Sequence, residues 1–223
     1  GATRVAIPIT AIVSLCERVC RIDGRMPQGG EALLPSNGSL ASPIALSLVL
    51  PQLRVRSAAL LHRLLTACSS NLSIQRHTSS TCGVLQSMLA WPAENSSSEL
   101  RSQVYKAAET AARLFGASRD ASAKLFDPAV ILISRSMKSM AQCGGTPLDR
   151  RVEDSEAGLK MVAAIVSCSG VVLLGDARRA LSEALRVGLL LLGSGSGRDK
   201  EGAAPLLLTS ERLRTAFFDL CVA

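Results

Sequence analysis

Residues 98–116 read SELRSQVYKAAETAARLFG and carry the clearest signal for the fold. Their apolar positions recur at spacings of three and four, the period of an amphipathic helix with one buried face. The stripe comprises Leu100, Val104, Ala107, Ala108, Ala111, Leu114 and Phe115. Ser98 is predicted to cap the start of this helix and Gly116 to end it.

The same period recurs on the N-terminal side of this stretch. A helix is predicted over 51–68, with Pro51 in its first turn, where no amide donor is needed. Its stripe comprises Leu53, Leu60, Leu61, Leu64 and Cys68. A second stripe ends at Trp91-Pro92 and comprises Ile74, Thr78, Thr81, Leu85, Met88 and Leu89. Both stripes predict helices that bury one face.

The C-terminal half repeats the pattern. Asp127-Pro128 is predicted to open a helix whose stripe comprises Val130, Ile133, Met137 and Met140. Further helices are predicted over 9–22, 156–168, 176–192 and 205–220. The part at 157–168 is apolar all round, as expected of a helix buried between neighbours.

These patterns predict an all-α fold, because strand alternation is absent. Helices of roughly 12–19 residues joined by short turns favour an antiparallel stack. Successive pairs match the roughly 40–47-residue unit of HEAT and armadillo repeats. We therefore expect an α-solenoid of antiparallel helix pairs, forming a single helical-repeat domain over 1–223. A long irregular loop is expected near 23–42 and another loop near 143–155.

Composition excludes several classes of protein. Of the 223 residues, 48% are hydrophobic, so the chain can bury enough surface to fold. Its seven cysteines are odd in number and scattered, and most of them lie among apolar residues, which indicates mostly buried thiols in a reducing compartment. The apolar runs are too short to cross a bilayer, so no membrane contact is expected. The chain begins with Gly1, which suggests an excerpt of a longer protein.

No pattern for catalysis stands out. The two histidines, His62 and His77, adjoin no nucleophile motif. Cys16 and Cys20 could present two thiolates on one helix face, but no second pair completes a zinc site. The glycine-rich turns do not lead into the Gly-Lys-Ser/Thr of a phosphate loop. We expect no catalytic residue, metal or cofactor, and hence not an enzyme.

Four arginines are candidates for a basic contact surface. Arg56 and Arg63 lie seven residues apart beside one apolar stripe, and Arg101 and Arg113 lie outside another. Aligned on neighbouring helices, they could follow an RNA backbone or an acidic tail, in keeping with the net charge of +7. Solvated charge with local pairs such as Glu109–Arg113 is the favoured alternative, because no aromatic side chains accompany the bases.

Leu61, Leu64 and Leu65 spell the Leu-Xaa-Xaa-Leu-Leu motif that docks in the coactivator grooves of nuclear receptors. The motif requires exposed leucines. Leu61 and Leu64 belong to the predicted core stripe, so burial is the favoured interpretation.

Three stretches in the first half of the chain carry a family resemblance. They are VAIPI at 5–9 with Leu15 and Arg18-Val19; LPQL at 50–53 with Ala59-Leu60-Leu61, Leu64-Leu65, Leu85, Leu89 and Trp91; and ELR at 99–101 with Val104-Tyr105 and Gly116. Together these apolar patterns, from Val5 to Gly116, resemble the family of proline-, glutamate- and leucine-rich proteins, whose yeast member is Rix-one.

The resemblance implies a helical-repeat scaffold in a nuclear complex. Partners in that family include a WD-repeat propeller and a second helical-repeat protein, and the complex promotes large-subunit pre-rRNA processing and pre-60S maturation. A location in the nucleus, with nucleolus and nucleoplasm, and contact with the pre-ribosomal particle and its rRNA would follow. The acidic, proline-rich tail of animal members is absent, so the chain resembles an internal helical-repeat portion.

Other functions stay open at this point. One is a HEAT or armadillo adaptor for nuclear transport or the cytoskeleton, although such receptors usually carry ladders of Asn and Trp, and this chain has only Trp91 and three Asn. Another is a nuclear-receptor coregulator that acts through 61–65. A homodimer is a further open alternative.

Overall fold

The computed structural model describes residues 7–22, 43–69, 72–91, 97–116, 118–142, 149–169, 173–194 and 210–223. This part is helical and holds no strand, so the predicted all-α class is confirmed. Its helices are α1 (Ile9–Arg21), α2 (Pro43–Ala67), α3 (Thr78–Leu89), α4 (Ser98–Phe115), α5 (Arg119–Ala121), α6 (Asp127–Gln142), α7 (Asp149–Ser169), α8 (Gly175–Ser194) and α9 (Glu211–Val222). A 3₁₀ helix over Leu72–His77 leads into α3, and a π-helical turn over Ser122–Phe126 joins α5 to α6.

Helix α2 is longer than the sequence predicts. It begins at Pro43, so Pro51 lies inside the helix and not in its first turn. The strong helix formers around Pro51, mainly leucine and alanine, let the helix continue although one backbone hydrogen bond is lost there. Leu53 was predicted for the buried stripe but is 37% exposed.

Three other predicted boundaries were wrong. Helix α7 begins at Asp149, so the loop predicted near 143–155 is helical from that residue onward. The charged run at 149–156 hid this start, because it carries no apolar stripe. Ser97, and not Ser98, caps α4: its Oγ accepts a hydrogen bond from the Leu100 amide at 3.2 Å. The helix predicted to include Ile74 starts at Thr78, after the 3₁₀ segment.

The remaining boundaries lie close to their predicted positions where the structure describes them. Helices α1 and α8 begin and end within two residues of prediction. The long loop predicted near 23–42, the start of the helix predicted over 205–220 and the side chain of Met140 lie outside the described residues.

Helices that follow one another along the chain pack against each other, and α1 and α2 run antiparallel. Helix α1 packs against α2, α3 against α4, and α6 against α7. In the first pair, the Cys16 thiol donates to the Ser57 carbonyl at 3.5 Å. Toward the other end of this contact, Arg54 donates to the carbonyl of Ile22 at 3.1 Å. Residue numbers rise from Cys16 to Ile22, which directly follows α1, while those of their partners on α2 fall from Ser57 to Arg54, so the two helices run antiparallel.

Contacts also join helices that are not consecutive along the chain. Helices α2, α4, α7 and α9 form one row of neighbours, and α1, α3, α6 and α8 form the other, with the π-helical turn between α3 and α6. Within the first row α4 and α7 run parallel, because Arg101 meets Asp154 in their N-terminal halves and Gly116 meets Cys168 at their C-terminal ends.

The core lies between the two rows. Its largest fully buried side chains include Phe126 and Phe217. On α7, Met161, Val162 and Ile165 are buried, whereas Lys160, Ser167 and Cys168 are exposed. The helix therefore keeps one face toward solvent, so the prediction that it is enclosed all round was wrong. Helix α7 contacts α4, α6 and α9, which makes it the central element of the second half.

Candidate functional site

A cleft of about 520 Å³ opens between the C-terminal end of α3, the first half of α4 and the middle of α6. Its lining is formed by Met88, Leu89, Ala90, Trp91, Leu100, Arg101, Val104, Tyr105, Leu132, Arg135 and Ser136. We call it the Trp91 cleft. Its volume falls within the roughly 300–1,000 Å³ typical of pockets that bind ligands.

The chain's single tryptophan and single tyrosine both line the Trp91 cleft. Trp91 follows directly after α3 and is half-buried. The guanidinium of Arg54 lies over its ring, 4.8 Å from the centroid, as a cation–π pair that fixes the indole. Tyr105 on α4 is buried, and this burial raises the pKa of its phenol, with a smaller opposing effect from Arg101.

Arg101 is held in place by a carboxylate from the next pair of helices. Its Nη2 lies 2.8 Å from Oδ2 of Asp154 on α7. The hydroxyl of Ser98 donates to the other oxygen of Asp154 at 2.6 Å. Asp154 is buried, so this network joins α4 to α7 at one side of the cleft and meets the charge of Arg101.

The rim of the Trp91 cleft is supplied by α6. Leu132 is 40% exposed, and Arg135 and Ser136 are exposed as well. Their spacing of three and four places all three residues on one face of the helix. Arg135 makes no ion pair with any residue that the structure describes, whereas Lys138, three positions further on that helix, pairs with Glu183 of α8.

The four predicted contact arginines differ in their exposure and in their partners. Arg56 and Arg63 are exposed on α2, without an ion pair among the described residues. Arg101 lines the Trp91 cleft in its pair with Asp154. Arg113 pairs with Glu109 at 2.9 Å one turn away, the local arrangement anticipated as the alternative.

The leucines of the receptor-docking motif belong to the core. Leu61 and Leu65 are fully buried, and Leu64 is 4% exposed. A groove on another protein cannot reach them while α2 is packed against α1 and α4.

The described part of the chain holds no cluster of metal-ligating side chains. Among its residues there is no group of three or more His, Cys, Asp or Glu side chains that could hold a metal ion. Burial raises the pKa of Cys16 to about 11 and those of Cys20 and Cys82 to about 12, so these thiols stay protonated at neutral pH. No helix within the described ranges is long and apolar enough to cross a membrane.

A second apolar surface lies on α8. Leu189 and Leu190 are 51% and 62% exposed, and they lie beside Leu185 and Arg186. This surface is flatter and carries no aromatic residue, so the Trp91 cleft is the better-formed site.

Sequence reasoning missed the Trp91 cleft as a site. It treated Trp91 as the end of a helix and Arg101 as part of a basic surface, and it assigned no role to Tyr105 or Arg135. The available signal was the rarity of aromatics, which make up 3% of the chain. Because the cleft joins residues from three helices, their proximity is not encoded in any local spacing.

Comparison of the chain with known protein families, with curated proteins and with solved structures found no match.

Proposed function

We propose that the chain is an α-solenoid of antiparallel helix pairs that acts as a non-enzymatic scaffold in ribosome assembly, supporting large-subunit pre-rRNA processing and pre-60S maturation. The observation that carries this proposal is the arrangement in two rows. Equivalent helices of successive pairs are neighbours, and α4 and α7 run parallel, as a repeat array requires.

The surfaces of the described part favour binding over chemistry. Stacked pairs contact only their neighbours, so an array leaves long faces available to partners. Trp, Tyr and Arg are the side chains most enriched where binding energy concentrates, and all three meet in the Trp91 cleft. The raised pKa values of the buried Cys16 and Cys82 thiols and of the half-buried Cys20 thiol disfavour nucleophilic roles for them.

The cellular role rests on the resemblance of residues 5–116 to the Rix-one family. On this proposal the protein resides in the nucleus, including nucleolus and nucleoplasm, and its partners are a WD-repeat propeller and a second helical-repeat protein. The exposed Arg56 and Arg63 and the net charge of +7 suit a particle rich in rRNA.

Affinity purification of the tagged full-length protein from its own cells, followed by mass spectrometry and RNA analysis, tests this role. We expect a WD-repeat propeller, a second helical-repeat protein and large-subunit rRNA precursors. Recovery of import cargo or cytoskeletal proteins without pre-ribosomal factors would contradict the proposal and favour the adaptor alternative.

A charge-reversed variant sharpens the same experiment. Arg56→Glu with Arg63→Glu changes two exposed cations on α2. If these arginines contact rRNA, the variant binds RNA more weakly, so precursor RNA is lost at a lower salt concentration in the wash while the protein partners are retained. Arg212→Glu with Arg214→Glu on α9, also exposed, is the matched control.

A further inference from the structure

We propose that the Trp91 cleft binds an acidic peptide segment of a partner protein, which inserts a large apolar side chain beside Trp91. The inference rests on the proposed scaffold function, because it specifies the chemistry of one partner at this site.

The interior of the cleft suits an apolar side chain. Met88, Leu100 and Val104 are each almost completely buried and form part of its wall. At about 520 Å³ the cleft has room for one or two large side chains. The ring of Trp91 is already fixed by Arg54, so little side-chain entropy is lost when a partner binds against it.

The charge of the lining selects an acidic partner. Among the residues that the structure describes, two arginines line the cleft and no carboxylate does. Arg101 already has its counter-charge in Asp154. Arg135 has none among the described residues and is exposed at the rim, so it can pair with an Asp or Glu next to the inserted side chain.

The shape of the rim favours a peptide as the occupant. Leu132, Arg135 and Ser136 continue the lining along the exposed face of α6, outside the enclosed part. A chain with one apolar anchor and flanking polar groups can follow this strip, whereas a compact ligand would leave it uncovered.

Trp91 provides the readout, because it is the chain's only tryptophan. Random peptides displayed on phage are selected on the full chain, with removal of those that bind a Leu132→Asp/Arg135→Glu variant. The recovered peptides are synthesised without Trp or Tyr and titrated while the emission of Trp91 is recorded. We expect a consensus of a large apolar residue next to Asp or Glu, and a saturable change in emission.

Charge variants locate the binding. Arg135→Glu is expected to weaken the selected peptide at least about tenfold, the effect of one reversed ionic contact. Arg119→Glu, on α5 and outside the lining of the cleft, is expected to change the affinity by less than about twofold. Both sites are exposed, and circular dichroism checks that each variant is folded. A peptide in which Lys replaces the acidic residues is expected to lose binding.

Three results would overturn the inference: no consensus, a consensus without acidic residues, or equal binding to wild type and Arg135→Glu. The test of the peptide site and the test of the proposed function give separate answers. If pre-ribosomal particles co-purify while no peptide binds, the scaffold role stands and the peptide site does not. If peptides bind while particles are absent, the reverse holds.

Discussion

The two edges of the helix array differ in how tightly they are built. At one edge, which we call the closed edge, α4 ends at Gly116 against Cys168 and α6 begins at Asp127 against Leu174. At the other, the open edge, α3 ends at Leu89, and Trp91 follows it beside the cleft. Protein atoms occupy the space at the closed edge, whereas the open edge leaves about 520 Å³ unfilled.

The polar groups follow the same division. At the closed edge the buried carboxylate of Asp127 accepts from the Leu174 amide at 2.9 Å and from the Ser122 hydroxyl at 3.4 Å. It therefore satisfies groups of its own chain. At the open edge Arg135 has no counter-charge among the described residues. Asp154 likewise joins α4 to α7 at the open edge, so that edge is distinguished by its unfilled cleft and by Arg135, and binding should be sought there.

The largest expected effect is a loss of stability when the closed edge is filled further. A Cβ on Gly116 would lie 2.7 Å from the backbone oxygen of Cys168, so α4 and α7 must move apart. Gly116→Val is expected to lower the free energy of unfolding by about 3 kcal/mol. Urea denaturation followed by circular dichroism measures it.

Gly83 is the matched control for Gly116. It lies inside α3, and an added Cβ there meets nothing within 4 Å. Gly83→Ala should raise the free energy of unfolding by about 0.5–1 kcal/mol, because alanine restricts the unfolded chain and favours the helix. If both substitutions had the same sign, close approach at the closed edge would not be the cause.

A second test breaks the ionic contact between pairs at the open edge. Asp154→Ala removes the partner of Arg101, whose side chain is 34% exposed, while that of Asp154 is 10% exposed. We expect a loss of about 1–2 kcal/mol in the free energy of unfolding. The more exposed pair Glu109–Arg113 serves as the control, and Glu109→Ala should cost no more than about 0.5 kcal/mol.

A double-mutant cycle of Asp154→Ala with Arg101→Ala then tests the parallel alignment of α4 and α7. Their neighbouring N-terminal halves predict a coupling of at least about 0.5 kcal/mol. Additive effects would mean that the two side chains are not in contact, and the arrangement in two rows would lose one of its supports.

Sequence pattern predicted the helices and much of the buried face where apolar periodicity was strong. The stripe of α4 is a clear case: Leu100, Val104 and Ala111 are all buried. It failed where the deciding contacts are tertiary. Asp154 lies in the second turn of α7 and is buried where Arg101 and Ser98 of α4 meet it. The charged run around it gives no local sign of these partners.

The candidate site was predicted less well, for the same reason. The prediction of a basic contact surface required four arginines to be aligned on neighbouring helices and free to meet a partner. In the structure Arg101 meets a carboxylate in the next pair of helices, and Arg113 one on its own helix. The Trp91 cleft depends on how α3, α4 and α6 pack, which one helix's periodicity does not specify. Gly116 was predicted correctly as the end of α4, but through its conformational freedom. Its backbone is right-handed, and the close approach to Cys168 is what requires glycine.

A third test compares helix caps at the two edges. Ser97 Oγ accepts from the Leu100 amide at the open edge, and Ser118 Oγ accepts from the Ala121 amide at the closed edge. Ser97→Ala is expected to cost about 1 kcal/mol of the free energy of unfolding, as is usual for a lost N-cap. Ser118→Ala should cost no more than this, because its hydrogen bond is longer, 3.4 Å against 3.2 Å.

The smallest expected effect is the contribution of one histidine, His62, to the pH dependence of the free energy of unfolding. His62 on α2 lies near Lys106 and Glu109 of α4. Burial lowers the pKa of this imidazole below its ordinary value of 6.5, Lys106 lowers it further, and Glu109 opposes the shift. The unfolded chain therefore binds the proton more readily than the folded one, so stability is full above pH 6.5 and falls as the pH drops below it.

Urea midpoints of wild type and His62→Gln between about pH 5 and 8 measure this contribution. The variant should lose less stability than wild type on acidification, and the two curves should run parallel above pH 6.5. His77→Gln is the control for the removal of a histidine as such. If His62→Gln left the acid side of the curve unchanged, the imidazole would not be desolvated beside Lys106. The packing of α2 against α4 around His62 would then need revision.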